Sequence, residues 1–222
     1  MSPQEQLAEG AGSLGVELAL PARRKLLDYL RLLDKWNRVY RLTAIADPSQ
    51  AVSHHLLDSL AVLPFVDAPP LLDVGSGGGM PGIPLAIARP ELQVVLIDSN
   101  SKKAAFLQQV VIELALGNIA VHHGRVEAYR PTERFATITA RAFADLYTFV
   151  SSSRHLLRAG GRWLAMKGLR PAGEIARLPA GVRVAGVHRL PVPGVGGERH
   201  LVVIENEAAA SRGDCSWQRY SQ

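Results

Sequence analysis

Leu71-Leu72-Asp73-Val74-Gly75-Ser76-Gly77-Gly78-Gly79-Met80-Pro81-Gly82 decides how this chain folds. Four apolar or acidic residues read as a short strand that ends on an acid. Glycines at 75, 77 and 79 then make a tight turn in which a ligand can approach the backbone. Pro81 stands where a helix can begin, because its missing N–H costs nothing at that position. A second apolar run, Gln93–Ile97, ends in another acid, Asp98, with Ser99 after it. In doubly wound folds a carboxylate at that place reaches a ribose hydroxyl pair.

The pattern spreads outward from this stretch. Helical periodicity follows the turn through Leu85 and Ile87 and again from Ser101 to about Leu116. Further strands are expected at Ile119–His122, Phe135–Ala140, Gly161–Met166, Val182–Leu190 and His200–Glu205, with a helix from about Asp145 to Leu157. Strands alternating with helices predict βαβ crossovers and an α/β fold with a mostly parallel, seven-stranded sheet. Pro191–Glu198 has no helical pattern, so the last two strands are expected to pair as a hairpin, which makes the last strand antiparallel. Before the first strand the chain is helical. Leu26, Tyr29, Leu30, Leu33 and Trp36 recur at three- and four-residue steps, and a second helix follows Asp47-Pro48 and stops before Pro64. The expected organisation is an N-terminal helical extension (1–64) packed on a core (65–207), followed by a polar tail (208–222).

Composition bounds the function. Lys and Arg outnumber Asp and Glu by 25 to 20, a net charge of +5. Residues 22–41 alone carry seven basic groups against Asp28 and Asp34, also +5. Arg24, Arg31, Lys35 and Arg38 share a helix face that suits either a phosphate backbone or solvent. No apolar run reaches the roughly 18 residues of a membrane span. Met1–Gly10 is polar and acidic, unlike a signal peptide, so a cytoplasmic protein is expected. Cys215 is the only cysteine, which rules out an intrachain disulfide and a cysteine-rich metal site; no metal is expected.

Two cofactors compete for the glycine turn. Gly77-x-Gly79-x-x-Gly82 matches a dinucleotide fingerprint, but that match alone is weak. Asp73 favours S-adenosylmethionine (SAM) over NAD. A pyrophosphate over the turn would be repelled by the carboxylate, whereas SAM brings a cationic amino group and a sulfonium. If methyl transfer is the chemistry, carbon-5 of a pyrimidine would need a cysteine nucleophile. The lone thiol lies in the tail. Exocyclic amines commonly use a proline-rich turn after the fourth strand, and here that turn is Thr139-Ala140-Arg141-Ala142-Phe143-Ala144. N7 of guanine already bears a lone pair and needs only alignment.

In its ordered set of motifs the chain resembles the bacterial small-subunit rRNA methyltransferase G family (RsmG, formerly GidB). The resemblance runs from about Trp36 to Glu205. It is carried by Trp36-Asn37, Leu42-Thr43, His55-Leu56-Leu57-Asp58-Ser59, the Asp73–Pro84 loop, Asp98-Ser99-Asn100-Ser101-Lys102-Lys103, Gly124-Arg125-Val126-Glu127, Arg141-Ala142-Phe143-Ala144, Met166-Lys167-Gly168 and Gly197-Glu198-Arg199-His200. It implies a Rossmann-like fold with added N-terminal helices and transfer from SAM to N7 of guanine 527 in 16S rRNA. It also implies that Gly75, Met80, Val126, Glu127 and Arg141 contact the cofactor and that Asp98 holds the ribose. Arg41 stands where the family usually has Asn, Met80 where Leu is usual, and Ala140 where Ser often precedes the arginine.

The expected cofactor set is therefore Asp73, Gly75, Ser76, Gly77, Gly79, Met80, Asp98, Ser99, Val126, Glu127 and Arg141. Arg141 and Lys167 are the expected catalytic positions, acting by placement with no general base. Arg31, Lys35, Arg38, Lys102, Lys103, Arg199 and His200 are candidate RNA contacts. Lys102 and Lys103 open a helix, where a cation opposes the dipole; a solvated pair is the plain alternative. His55, on an apolar face, reads as a core group. The expected partner is 16S rRNA within the small ribosomal subunit or its precursor, bound by a monomer. A methyltransferase acting on another RNA, a small molecule or a protein, an NAD-binding oxidoreductase, and a non-catalytic rRNA-binding protein remain alternatives.

Overall fold

The computed structural model describes residues 1–43, 45 and 48–207. Asp47, expected to cap a helix, and the tail with Cys215 lie outside them. The chain opens with α1 (Pro3–Ser13), which periodicity does not announce because only Leu7, Gly10 and Ala11 of it are buried. Its signal is local instead. Ser2 and Glu5 form a reciprocal capping box, Glu5 N donating to Ser2 Oγ at 3.3 Å and Ser2 N to Glu5 Oε2 at 2.7 Å, with Pro3 in the first turn.

The amphipathic helix α2 spans Leu20–Tyr40 and buries Leu26, Leu27, Tyr29 and Leu33. It stops where Arg41 turns left-handed at φ 50° and donates its N–H to Asn37. The next helical run starts as α3 (Pro48–Ala51), widens into a π-helical segment over Val52–Leu57, and continues as α4 (Asp58–Leu60). Such π segments are rare and often mark functional positions.

The core follows as β1 (Leu71–Val74), α5 (Gly82–Ala88), β2 (Val94–Asp98), α6 (Ser101–Glu113), β3 (Ile119–His123), β4 (Phe135–Arg141), α7 (Leu146–Ser153), β5 (Leu157–Lys167), α8 (Ala172–Ile175), β6 (Val182–Arg189) and β7 (His200–Asn206). The sheet order is β3-β2-β1-β4-β5-β7-β6. β7 runs antiparallel to both neighbours, as the missing crossover helix predicts, and it lies inside the sheet between β5 and β6. The strand order reverses between β1 and β4, and in open α/β sheets ligands bind at that point outside the carboxyl ends of the strands.

Period-two alternation gives each face its own core. Leu71, Leu96, Leu164 and Leu201 pack with Ile83, Phe106, Leu26, Tyr29 and Leu56, so the N-terminal helices share one hydrophobic cluster with α5 and α6. Leu72, Ile97, Ile138, Trp163 and Val202 face the other way, with Phe149 and Val150 of α7.

The parallel register also sets the functional edge. Arg141 pairs with Met166 at the ends of β4 and β5, Lys167 pairs with His200 where β7 begins, and Asp98 ends β2. Residues scattered over more than a hundred positions in the chain thus meet at one rim.

Candidate active site

The glycine turn is tied to the sheet by backbone bonds. The N–H groups of Gly75 and Ser76 both donate to Ile97 O, at 2.9 and 3.1 Å, and Ser76 Oγ donates to Asp73 O at 2.8 Å. Gly79 adopts φ +94°, and a side chain there would run into Ile83. At Gly82 a Cβ would strike Leu96 and stand 2.8 Å from Asp73 Oδ2. Those two positions require glycine so that α5 can sit close on β1 and β2.

α2 braces the turn from behind. The buried Tyr29 hydroxyl donates to Gly78 O at 2.5 Å. Tyr29→Phe leaves that carbonyl without its partner, and such a loss costs about 1–3 kcal/mol. We expect a lower unfolding midpoint and weaker cofactor binding, read by a thermal melt and calorimetry. An unchanged midpoint and affinity would show that the turn stands without α2.

Asp73 is fully buried. Its Oδ2 accepts the Gly82 N–H at 3.0 Å, while Oδ1 has no partner. Burial pushes its carboxyl up to about 7, against the lowering effects of the Gly82 N–H and the Arg141 cation. A buried carboxylate oxygen without a donor beside a glycine turn suits a cationic ligand and repels a phosphate. Being sealed, Asp73 acts on such a ligand through its field.

Asp98 closes the other side. Its Oδ2 accepts from Gly77 N at 2.9 Å and its Oδ1 from Asn100 N at 2.8 Å. Each carboxylate oxygen has two lone pairs, so capacity remains for a diol. Asp98 lines a cleft of about 180 Å³ together with Gly75, Ser99, Val126, Glu127 and Phe143. Apolar walls with two acids at the rim suit an adenosine, the purine in the slot and its ribose on Asp98. A larger cavity of about 470 Å³ lies between α1, α2 and the π segment, lined by Leu27, Leu30, Leu33, Ile45 and Val52 and also by Arg31, Asp34, Asn37 and Thr43. It contains neither strand-end acid, whereas Asp98 lines the smaller cleft. His55, on the floor of that cavity, is buried and held neutral, its pKa pushed down to about 4 by burial and by Arg141, as a core histidine should be.

Beyond the turn, Met80 is buried and Arg141 Nη2 donates to its Sδ at 2.8 Å. Arg141 Nη1 reaches His54 O at 2.8 Å and Asp58 Oδ2 at 3.2 Å.

Comparison with known proteins gives the family. The family described as rRNA small subunit methyltransferase G (GidB) matches residues 22–202. The chain belongs to this family. It is 52% identical over 205 residues to ribosomal RNA small subunit methyltransferase G of Neisseria meningitidis serogroup C, covering 92% of this chain and 99% of the relative. It is also 52% identical to the protein of that name from Pseudomonas aeruginosa, covering 92% of this chain and 96% of the relative. Among solved structures, the glycopeptide N-methyltransferase MtfA complexed with S-adenosyl-L-homocysteine superposes with a TM-score of 0.58 at 13% identity, over 69% of this chain and 87% of that one. That likeness shows the fold, and the family makes the chain a SAM-dependent methyltransferase.

In this methyltransferase the remaining expected residues fall into separate groups. Lys167 stands at the rim with its Nζ donating to Glu174 Oε2 at 2.8 Å and Ala144 O at 3.1 Å. Arg31 and Arg38 are exposed on α2 but paired within the helix, to Asp28 at 2.5 Å and Asp34 at 2.7 Å. Each acid offsets the formal charge of the arginine it pairs with. Lys102 lies over the Tyr40 ring, 5.9 Å from its centroid, which places it between α6 and the end of α2. His200 is buried, its Nδ1 3.0 Å from Gly168 O, and Arg199 turns inward to Asp58. Asp58, Phe143 and Tyr29 were not singled out as site residues in the sequence. A lone acid amid the apolar residues of His55–Leu60 was the available signal for Asp58.

Proposed function

We propose that this methyltransferase methylates N7 of guanine 527 in 16S rRNA, in the small ribosomal subunit or its precursor. One observation carries the site: carboxylates at the ends of β1 and β2 flank a glycine turn at the switch point of the sheet. SAM bound there would supply a methyl group on a cationic sulfonium: the N7 lone pair would gain the N–CH3 bond as the S–CH3 bond breaks, with no proton to remove, so the thioether would leave neutral and the positive charge would pass to the purine. The residues then have only to orient and hold. Asp98 holds the ribose, Val126 and Glu127 border the adenine, Ser76, Gly77 and Gly79 shape the turn with Ser99 beside it, and Met80 packs against the methionine end. Asp73 favours the positive charge electrostatically. Arg141 and Lys167 face the incoming nucleotide at the rim, and proximity supplies the rate. Guanine N7 is supported by the family name and by the single cysteine lying in the tail.

We further propose that Arg31, Lys35, Arg38, Lys102 and Lys103 meet the RNA backbone while the protein works as a cytoplasmic monomer. Among the described residues no helix is long and apolar enough to cross a membrane. Reversing the charges of Arg31, Lys35 and Arg38 should weaken binding to small subunits and flatten its salt dependence by about one unit of slope per lost phosphate contact. An unchanged slope in filter binding over 50–200 mM salt would make α2 a solvated face. The function itself is tested with labelled SAM and small subunits lacking the modification. Incorporation into 16S rRNA is expected, and incorporation confined to protein or small molecules would overturn it.

A further inference from the structure

Asp58 has no part in the cofactor cleft, yet its side chain is only 5% exposed. It enters from the N-terminal helices immediately after the π-helical segment, at a break in regular hydrogen bonding. Its two oxygens serve two different arginines. Oδ2 accepts from Arg141 Nη1 at 3.2 Å, and Oδ1 accepts from Arg199 Nε at 3.2 Å. Arg141 ends β4, Arg199 precedes β7, and β5 lies between those strands. One carboxylate therefore joins the helical extension to both sides of the functional rim. Arg199 is anchored further by Nη1 donating to Glu198 O at 2.9 Å, and Arg141 by its bond to His54 O.

We propose that Asp58 is a positioning residue for methyl transfer: it holds Arg141 and Arg199 side by side at the substrate edge and cancels one of their two charges. The proposal rests on the function given above. Without the carboxylate two like charges face each other and separate, and both oppose the positive charge that methylation leaves on the purine. With it the rim carries one net cation, enough to meet a phosphate. The side chains of Arg141 and Arg199 are 21% and 27% exposed, so water can reach them when the carboxylate is removed. Asp58→Asn should therefore fold.

The test is a double-variant cycle on unmodified small subunits. Asp58→Asn should lower kcat by about 100-fold, the scale of a lost preorganised electrostatic contact. KM for the subunit and affinity for SAM should each move less than about 5-fold, a split that points to the reacting state. Arg199→Gln should cost about 10-fold, and the double variant no more than Asp58→Asn alone, because the residues act as a unit. A kcat within about 3-fold of wild type for Asp58→Asn, or costs that multiply in the double variant, would overturn the proposal and leave Asp58 as a fold contact. If the wild-type protein transfers no methyl to small subunits, the substrate assignment fails instead. The clamp is then decided by 15N–1H NMR of the guanidinium groups. A slowly exchanging Arg199 Nε–H that is lost in Asp58→Asn supports it, and equal exchange in both proteins refutes it.

Discussion

Asp73→Asn should make the ligand-free protein more stable and a poorer SAM binder. The native carboxyl is lifted from 3.8 to about 7 by burial. Between those values the folded state holds a proton that the unfolded chain releases, so stability falls as pH rises from about 4 to about 7 and is lowest above 7. Three pKa units correspond to roughly 4 kcal/mol of penalty for the buried charge. Asparagine keeps an acceptor for the Gly82 N–H and carries no charge, but it buries an amide where Oδ1 has no partner. That offsets about 1–3 kcal/mol, leaving a net gain of about 1–3 kcal/mol above pH 7 that turns into a net loss of about 1–3 kcal/mol near pH 4, where the charge penalty is gone. SAM affinity should fall by one to two orders of magnitude, about 1.4–2.8 kcal/mol. Wild-type affinity should rise with pH through 7 as the carboxylate forms, and the variant's should be flat. Melts and calorimetry at pH 5 and 8 check both halves. Equal stability at pH 8 together with parallel affinity profiles would remove Asp73 from the cofactor's electrostatics. A site that loses stability to hold a cation is the usual exchange of stability for function.

Asp98 carries the second large effect. Its loss removes the acceptor for the ribose, and hydrogen bonds to a charged group are worth about 1.5–3 kcal/mol each. Two hydroxyls make the expected penalty at least 3 kcal/mol, about a hundredfold in SAM affinity. Asp98 also accepts the N–H groups of Gly77 and Asn100, so Asp98→Ala loosens the turn and lowers the melting midpoint as well. Asp98→Asn is the milder change, because it keeps an acceptor for one of the two backbone N–H groups, sets its amide NH2 against the other and loses the charge. Both variants should lose affinity and stability, and the asparagine variant should lose less stability than the alanine variant. Full affinity in both would place the ribose elsewhere.

What the sequence makes legible follows from how far each signal travels. The glycine turn, its flanking acids and the strand ends at Arg141 and Lys167 are local patterns, and the parallel register converts them directly into one rim. The hairpin was legible because no helix separates β6 from β7, but the placement of β7 inside the sheet was not, since pairing partners are chosen by tertiary packing. α1 escaped because a helix burying one narrow strip has little periodicity, although Ser2-Pro3-Gln4-Glu5 announced its start. The pairs on α2 were legible too: Asp28 and Asp34 stand three and four residues from Arg31 and Arg38, a spacing visible in the sequence and already counted in the net +5 of residues 22–41. The Asp58 clamp joins residues 83 and 141 positions apart, and no local pattern encodes such a contact.

Mass spectrometry of the nucleosides and of RNase fragments of 16S rRNA, after incubation with the protein and labelled SAM, reports the methylated atom and its position together. The RNA is taken from cells lacking the modification and offered both free and in small subunits. Labelled 7-methylguanosine is expected at the single guanine at position 527, and comparison of the two forms identifies the substrate. Label in any other nucleoside, or none from protein that demonstrably binds SAM, would contradict methylation of that guanine by this protein.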